Sequence, residues 1–417
     1  MKTPLQIQEP EPGNVISWPE RWHHFMAMPH QAMFTLGALQ AVLVMLWWLV
    51  DLGGRYGGWY APLVWAVPPP WAHLYLMIFG LFPPYMFGFL MTTYPRWMGG
   101  APVPPRHYLP AAALLACGVL LGYVGLVAGK PLLLAALVIY LAGWALCLFA
   151  LLHVYVGAER PDILHARMTS GVLILGFCLL LAYSLGIGLD DPFWIGAARS
   201  GGIWWFLFPV FFAVSHRLIP FFSSAVIPNY VVIRPEWPLW VMTAGGMAHG
   251  ALDMASHPQW TWTVDFAMAA VAFRLSYQWS IRQTFGVRIL AMLHIAFVWV
   301  GIALTLLGLQ SLSMFMDSGM PLGRGPLHAL VVGYFASMLI AMSTRVTLGH
   351  SGRPLTADQR AWSIFMAVQL VAAVRILADM PVFQAYKAIL YLCSAMLWLG
   401  AFGGWLLKFT PIYWTKP

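Results

Sequence analysis

Apolar runs of eighteen residues or more recur along the entire chain, and this feature decides the class of fold. Each run is long enough to cross the roughly 30 Å hydrocarbon layer of a bilayer as a helix. Within lipid, every backbone N–H and C=O must be satisfied inside a helix or a closed barrel. The runs are continuous rather than alternating, so they read as helices and not as barrel strands. Charge agrees: 9% of the 417 residues are Asp, Glu, Lys or Arg, against about a quarter in soluble domains. The expectation is an all-α, polytopic membrane bundle of about twelve transmembrane helices. They fall at 33–52, 71–93, 109–128, 131–156, 168–189, 201–222, 238–255, 260–280, 288–310, 325–347, 361–379 and 384–408. Residues 1–32 form a polar, Pro-rich N-terminal segment, 33–408 a single membrane domain, and 409–417 a short tail. The connections are too short for a separate soluble domain.

The net charge of +8 is therefore no nucleic-acid signal, and its distribution orients the chain instead. With the N-terminus inside, fifteen of the 22 Lys and Arg fall on the cytoplasmic side and five outside, while Arg274 and Arg375 lie within spans. The positive-inside rule then places both termini in the cytoplasm, with membrane lipid around the bundle. The N-terminus lacks the basic-then-apolar layout of a cleaved leader, so the first span is expected to act as its own anchor. The four cysteines, Cys117, Cys147, Cys178 and Cys393, are scattered through apolar runs and read as small apolar fillers. No Cys-x-x-Cys-His offers a covalent haem site. Pro83 and Pro84 in the second span, and Pro209 and Pro220 in the sixth, each remove a backbone donor. They are expected to kink or break their helices, either for packing or around a polar cavity.

Ionisable side chains inside a membrane are costly and mark function by default. Acids number only 14 and sit mostly in loops or at span ends, Asp265 being the exception, which argues against an ordinary proton-driven carrier. Histidines number 13, and several enter the spans. On the expected topology His73 and His328 lie at the outer ends of the second and tenth spans, at similar depth. If those helices are neighbours, the two imidazoles can grip one haem iron from opposite faces; two interfacial helix-end histidines account for the same residues. A second set, His30, His216, His294 and His350, lies toward the cytoplasm, and four imidazoles at one level suit copper, iron or zinc. Arg217 and Arg345 beside this set are placed to pair with a haem propionate or with lipid headgroups. His23, His24, His107, His165 and His257 read as solvated loop residues. His153 and His249 are intramembrane and isolated, His249 being a further candidate for the outer set.

The two levels follow from length. His328 and His350 are 22 residues apart, roughly 33 Å along a continuous helix. A metal holds its ligands at about 2 Å, so these two cannot share one. Either there are two sites or one histidine is not a ligand.

The same stretch, "HALVVGYFASMLIAMSTRVTLGHSGRPL", resembles the hallmark segment of the NnrS family. That family carries a His-Ala-Leu-x-x-Gly start and a Thr-Arg-x-x-Leu-Gly-His-x-Gly-Arg-Pro-Leu end. "HRLIPFF" at 216–222 is similar to its Arg-x-x-Pro-x-Phe motif, "HIAFVWVGIAL" to its ninth-span motif and "PHQAMFTLGAL" to its opening span. In the second span the family commonly shows His-Ala-His-Glu-Met-x-Phe-Gly. Here "HLYLMIFG" keeps His73 but puts Tyr75 and Leu76 where the second His and the Glu would stand.

The resemblance implies a haem- and copper-containing protein of the bacterial inner membrane, linked to nitric oxide metabolism and denitrification. It implies haem b, with copper or a second metal or haem, nitric oxide as the small-molecule ligand, and an electron-donor protein or quinol as partner. The twelve spans and the outer histidines of spans two and ten also have a distant likeness to the haem–copper oxidase core, whose adjacent histidine pair is absent here. A protein that binds or reduces nitric oxide, or protects against nitrosative stress, is the first expectation. It would be a haem-dependent oxidoreductase if it turns nitric oxide over. The alternatives are a carrier or channel for haem, metal or a small anion, and a membrane subunit of a larger redox complex.

Overall fold

A computed structural model describes residues 17–158, 164–319 and 322–415, and among them every regular element is helical. After the short α1 (Trp18–Phe25) come α2 (Pro29–Arg55), α3 (Pro69–Met98), α4 (Pro105–Ala128), α5 (Lys130–Val156), α6 (Leu164–Leu189) and α7 (Pro192–Ser224). They are followed by α8 (Trp237–Met254), α9 (Trp262–Gln278), α10 (Arg288–Phe315), α11 (Gly325–His350), α12 (Gln359–Leu377) and α13 (Pro381–Trp414). Proline opens α3, α4 and α7, in a first turn where its missing N–H leaves no bond unmade.

Each of the twelve expected spans coincides with one rod from α2 to α13. Ten of these are long and apolar enough to cross a membrane. The exceptions, α8 and α9, were expected as spans at 238–255 and 260–280. They are 18 and 17 residues long and carry His249, Asp253 and Asp265, so the count of about twelve is supported for ten. Lys2, Arg160 and Lys416 of the charge count, and most of the N-terminal segment, lie outside the described residues.

Three rods form the centre. The most apolar stretches of α3, α11 and α7 are 94%, 83% and 78% buried, against 28–50% for α2, α4, α5, α6, α12 and α13. Phe82, Phe211 and Phe335, one from each central rod, meet at mid-height. Around them the outer rods close a ring: the indole N–H of Trp398 on α13 donates to the Ala41 carbonyl of α2 at 2.9 Å. Helix α1 docks on the end of α13, where Phe25 and Trp414 stack with ring centres 4.2 Å apart. Both described chain ends therefore meet at one end of the bundle, here called the lower end.

Each central rod contains a π-helical stretch: 75–81 in α3, 202–207 in α7 and 329–336 in α11. The first two directly precede Pro83–Pro84 and Pro209. Widening the turn moves the carbonyls that a proline ring would strike and leave unbonded, so these rods run on where a break was expected. No proline follows the third. There Gly333 lies under the Trp299 indole, which a Cβ would approach to 2.5 Å. The π stretches of α3 and α7 touch, at the end opposite α1.

Candidate functional site

At the upper end, two residues ahead of the π stretch of α3, His73 stacks on Trp48 of α2 with ring centres 4.0 Å apart. Its Nδ1 is buried without a hydrogen-bond partner. His328 immediately precedes the π stretch of α11, and its Nδ1–H donates to the Arg324 carbonyl at 2.8 Å. That bond fixes the tautomer and leaves Nε2 with its lone pair. Both imidazoles lie at the upper ends of their rods. Nη2 of Arg375, on α12, lies 3.3 Å from both ring nitrogens of His328, and its Nη1 is buried and unpartnered.

Around this group Asp379 gathers the nearby donors. Arg375 and Lys387 approach it to 3.5 and 3.6 Å, the Arg324 backbone N–H donates to it at 3.2 Å, and the Tyr391 hydroxyl also donates. Helices α3 and α11 pack together through residues 82–98 and 337–350, whereas the start of α11 packs on α10 and α12.

The chemistry of this donor set fits a haem. One imidazole has its lone pair fixed by a carbonyl bond to the other nitrogen, and a second has an orphaned ring nitrogen. The half-buried guanidinium of Arg375 has, at its buried Nη1, an unused donor for a carboxylate. In the sequence Arg375 stands out only as a cation inside an apolar span, a signal that points here. Tyr75, two residues from His73, turns to the opposite side of its helix and stacks on Tyr183 at 5.4 Å. Its hydroxyl is buried and unpartnered.

The lower set does not form the single cluster expected of it. His30 and His350 meet, with ring centres 5.1 Å apart. His216 instead faces His165, whose Nε2 lies 3.1 Å from His216 Nδ1, while His216 Nε2–H donates to the Pro235 carbonyl at 2.9 Å. His294 pairs with the Ser223 hydroxyl at 3.0 Å. Among the described residues no group of three or more His, Cys, Asp or Glu is arranged to hold a metal ion. The reason is rotational: depth can be read from position along a helix, but the face each imidazole presents differs. Arg217 lies over Trp97 at 4.7 Å and Arg345 over Phe222 at 3.8 Å, at this level and not beside His328.

His165, expected in a solvated loop, is buried, because α6 begins at Leu164, one turn earlier than the expected span. His107 and His153 face each other across the α4–α5 hairpin at 5.7 Å. His249 pairs with Asp265 on α9.

His30 and His350 are the lower pair whose nitrogens can be assigned. His350 Nδ1–H donates to the Val346 carbonyl at 3.0 Å, and its Nε2 is buried and unpartnered. The Thr92 hydroxyl donates to the Gly88 carbonyl at 2.7 Å and so accepts from His30 Nδ1–H at 3.4 Å. Both Nε2 atoms then keep their lone pairs, the condition for ligating a metal. Between the two levels lies a cavity of about 50 Å³ lined by Phe34, Tyr85, Met86, Phe211 and Met338, among others, with Ser343 as its polar member.

The fold and these sites define a multi-pass helical membrane protein whose central rods carry histidines at both ends. Residues 24–416 match the family model described as NnrS protein, nearly the whole chain, and the chain belongs to the NnrS family. No curated protein matches it.

Proposed function

We propose that this NnrS-family protein binds haem b between His73 and His328 and uses it to bind or reduce nitric oxide in the bacterial inner membrane. The observation that carries the reading is the placement of His73 and His328 at the same end of two central rods, with an arginine beside His328 whose Nη1 is buried and unpartnered. The haem would supply the iron that binds nitric oxide and exchanges electrons. The chain's own residues orient and shield. The Arg324 carbonyl holds the His328 ring by Nδ1–H, Trp48 fixes the plane of His73, and Arg375 is placed to pair with a propionate.

His30 and His350 are the residues that would hold copper, since two neutral imidazoles with free Nε2 lone pairs suit it. Arg217 and Arg345, at the lower level, would pair with a carboxylate only of a second haem. The apolar cavity supports a small uncharged ligand: its 50 Å³ exceeds the roughly 10–15 Å³ that a cavity needs to admit one water-sized molecule, and its lining rewards apolar gas over water.

The test is the optical spectrum of protein purified in detergent. A Soret band that shifts when nitric oxide is added to the reduced sample supports the reading; a colourless protein after expression with ample haem supply defeats it.

A further inference from the structure

Helices α8 and α9, the two rods short of a full crossing, enclose a buried acid–imidazole pair. His249 of α8 places Nδ1 2.6 Å from Asp265 Oδ1 of α9, and the two residues are 7% and 0% exposed. Trp204, in the π stretch of α7, clamps the imidazole face with ring centres 3.7 Å apart. Asp265 Oδ2 is buried without a hydrogen-bond partner. A carboxylate and an imidazole removed together from water are expensive, and inside membrane proteins such groups mark ion or proton pathways. No third metal-ligating side chain joins them among the described residues, so the ligand that suits the pair is a proton.

Helix register supplies the route. Asp253 follows His249 by four residues on α8, so it shares that face, about 6 Å nearer the upper end. Its side chain is 31% exposed and accepts hydrogen bonds from Arg199, at 3.3 Å, and from Ser200, both on α7. With 18 and 17 residues, α8 and α9 reach at most about 27 Å, less than the hydrocarbon thickness. At this corner the aqueous boundary comes in toward the helix ends, where Asp253 sits.

We infer that Asp253, His249 and Asp265 form a proton relay from the upper rim into the bundle, with the His249–Asp265 pair as its proton-holding end. In the resting form His249 carries its proton on Nδ1, bonded to the Asp265 carboxylate. A proton handed in from the Asp253 carboxyl adds to the Nε2 lone pair. The Nδ1 proton then passes to Asp265 Oδ1, leaving an imidazole protonated at Nε2 and a neutral carboxylic acid. The charge of the pair goes from minus one to zero, and release reverses both moves.

The other charged or titratable groups around the relay are Arg199 on α7 and His257 in the exposed turn after α8. Helix α10, packed on α9, carries Arg288 and His294 at its far end, and Arg274 of α9 lies over Trp237. The relay requires no cofactor and stands apart from the haem reading.

Infrared difference spectra of the purified protein, recorded as pH is stepped, test it. The wild type is expected to show a protonated-carboxyl C=O band that shifts in D2O and is missing in Asp265→Asn. His249→Gln, which leaves Asp265 in place, is expected to keep the band with a displaced titration midpoint. Asp253→Asn is expected to keep the band but slow its shift in D2O several-fold. An Asp265→Asn spectrum identical to wild type overturns the relay, as does an unmoved midpoint in His249→Gln or a wild-type exchange rate in Asp253→Asn.

Discussion

Nη2 of Arg375 lies 3.3 Å from both ring nitrogens of His328. His328 Nδ1–H is already given to the Arg324 carbonyl, so the ring nitrogen open to the guanidinium is Nε2, which accepts from Arg375 through the same lone pair that would face an iron. A fixed cation beside a haem ligand disfavours the oxidised, more positive iron. Arg375→Leu is therefore expected to lower the haem reduction potential, by an amount on the order of tens of millivolts. A redox titration followed optically checks this, and a potential that rises or stays put contradicts it.

At the lower end, both Nε2 lone pairs of the His30–His350 pair are free. His30→Ala and His350→Ala are each expected to remove copper from protein grown with copper supplied, whereas His294→Ala retains it, since His294 is engaged with Ser223. Elemental analysis after gel filtration separates these outcomes. Copper that follows His294 and not the pair would place the metal elsewhere.

Close approach of helices makes a third expectation. A Cβ at Gly118 of α4 would come within 2.8 Å of the Tyr140 backbone nitrogen on α5, while one at Gly171 of α6 would meet nothing within 4 Å. Gly118→Val is expected to destabilise the fold by roughly 1–3 kcal/mol through overpacking. Gly171→Ala is expected to be neutral or to stabilise by about 0.5–1 kcal/mol through helix propensity. Thermal unfolding in one detergent compares the two, and equal melting temperatures would show that the α4–α5 contact is not close.

Asp358 caps α12, accepting from the Ala361 N–H at 2.8 Å and from Lys408 at 2.6 Å. The Lys408 hydrogen bond above all holds its carboxyl below the usual carboxylate range. A depressed folded-state value means that the stabilisation is fully present above the unfolded value, about 3.9, and is lost as pH falls through the folded one. Asp358→Ala is expected to cost about 1 kcal/mol near neutral pH, and the difference from wild type is expected to shrink in acid below about pH 4. Melting curves across pH measure it; a gap that widens in acid would reverse the sign.

The helices were legible because lipid demands long apolar runs, and the separation of His328 from His350 was legible because rise per residue is fixed. Which imidazoles meet was not, since that depends on the rotation and neighbours of each rod. His165 shows the sensitivity. With Arg160 and Arg167 nearby it reads as a loop residue, yet moving the helix start from 168 to 164 carries it one turn into the bundle and against His216. The grouping of His216 and His294 with His350 failed for the same reason, because equal depth does not imply a shared face. Arg375 was visible as a cation within a span, but its partner lies on α11, 47 residues away, and no local pattern links them.

The central claim is that His73 and His328 together hold the haem. Haem content per protein, measured for wild type, His73→Ala, His328→Ala and His294→Ala purified alike, tests it most directly. The account predicts haem in the wild type and in His294→Ala and its loss from both His73→Ala and His328→Ala, with all four proteins eluting as the same folded species. Full haem in His73→Ala and in His328→Ala would contradict it.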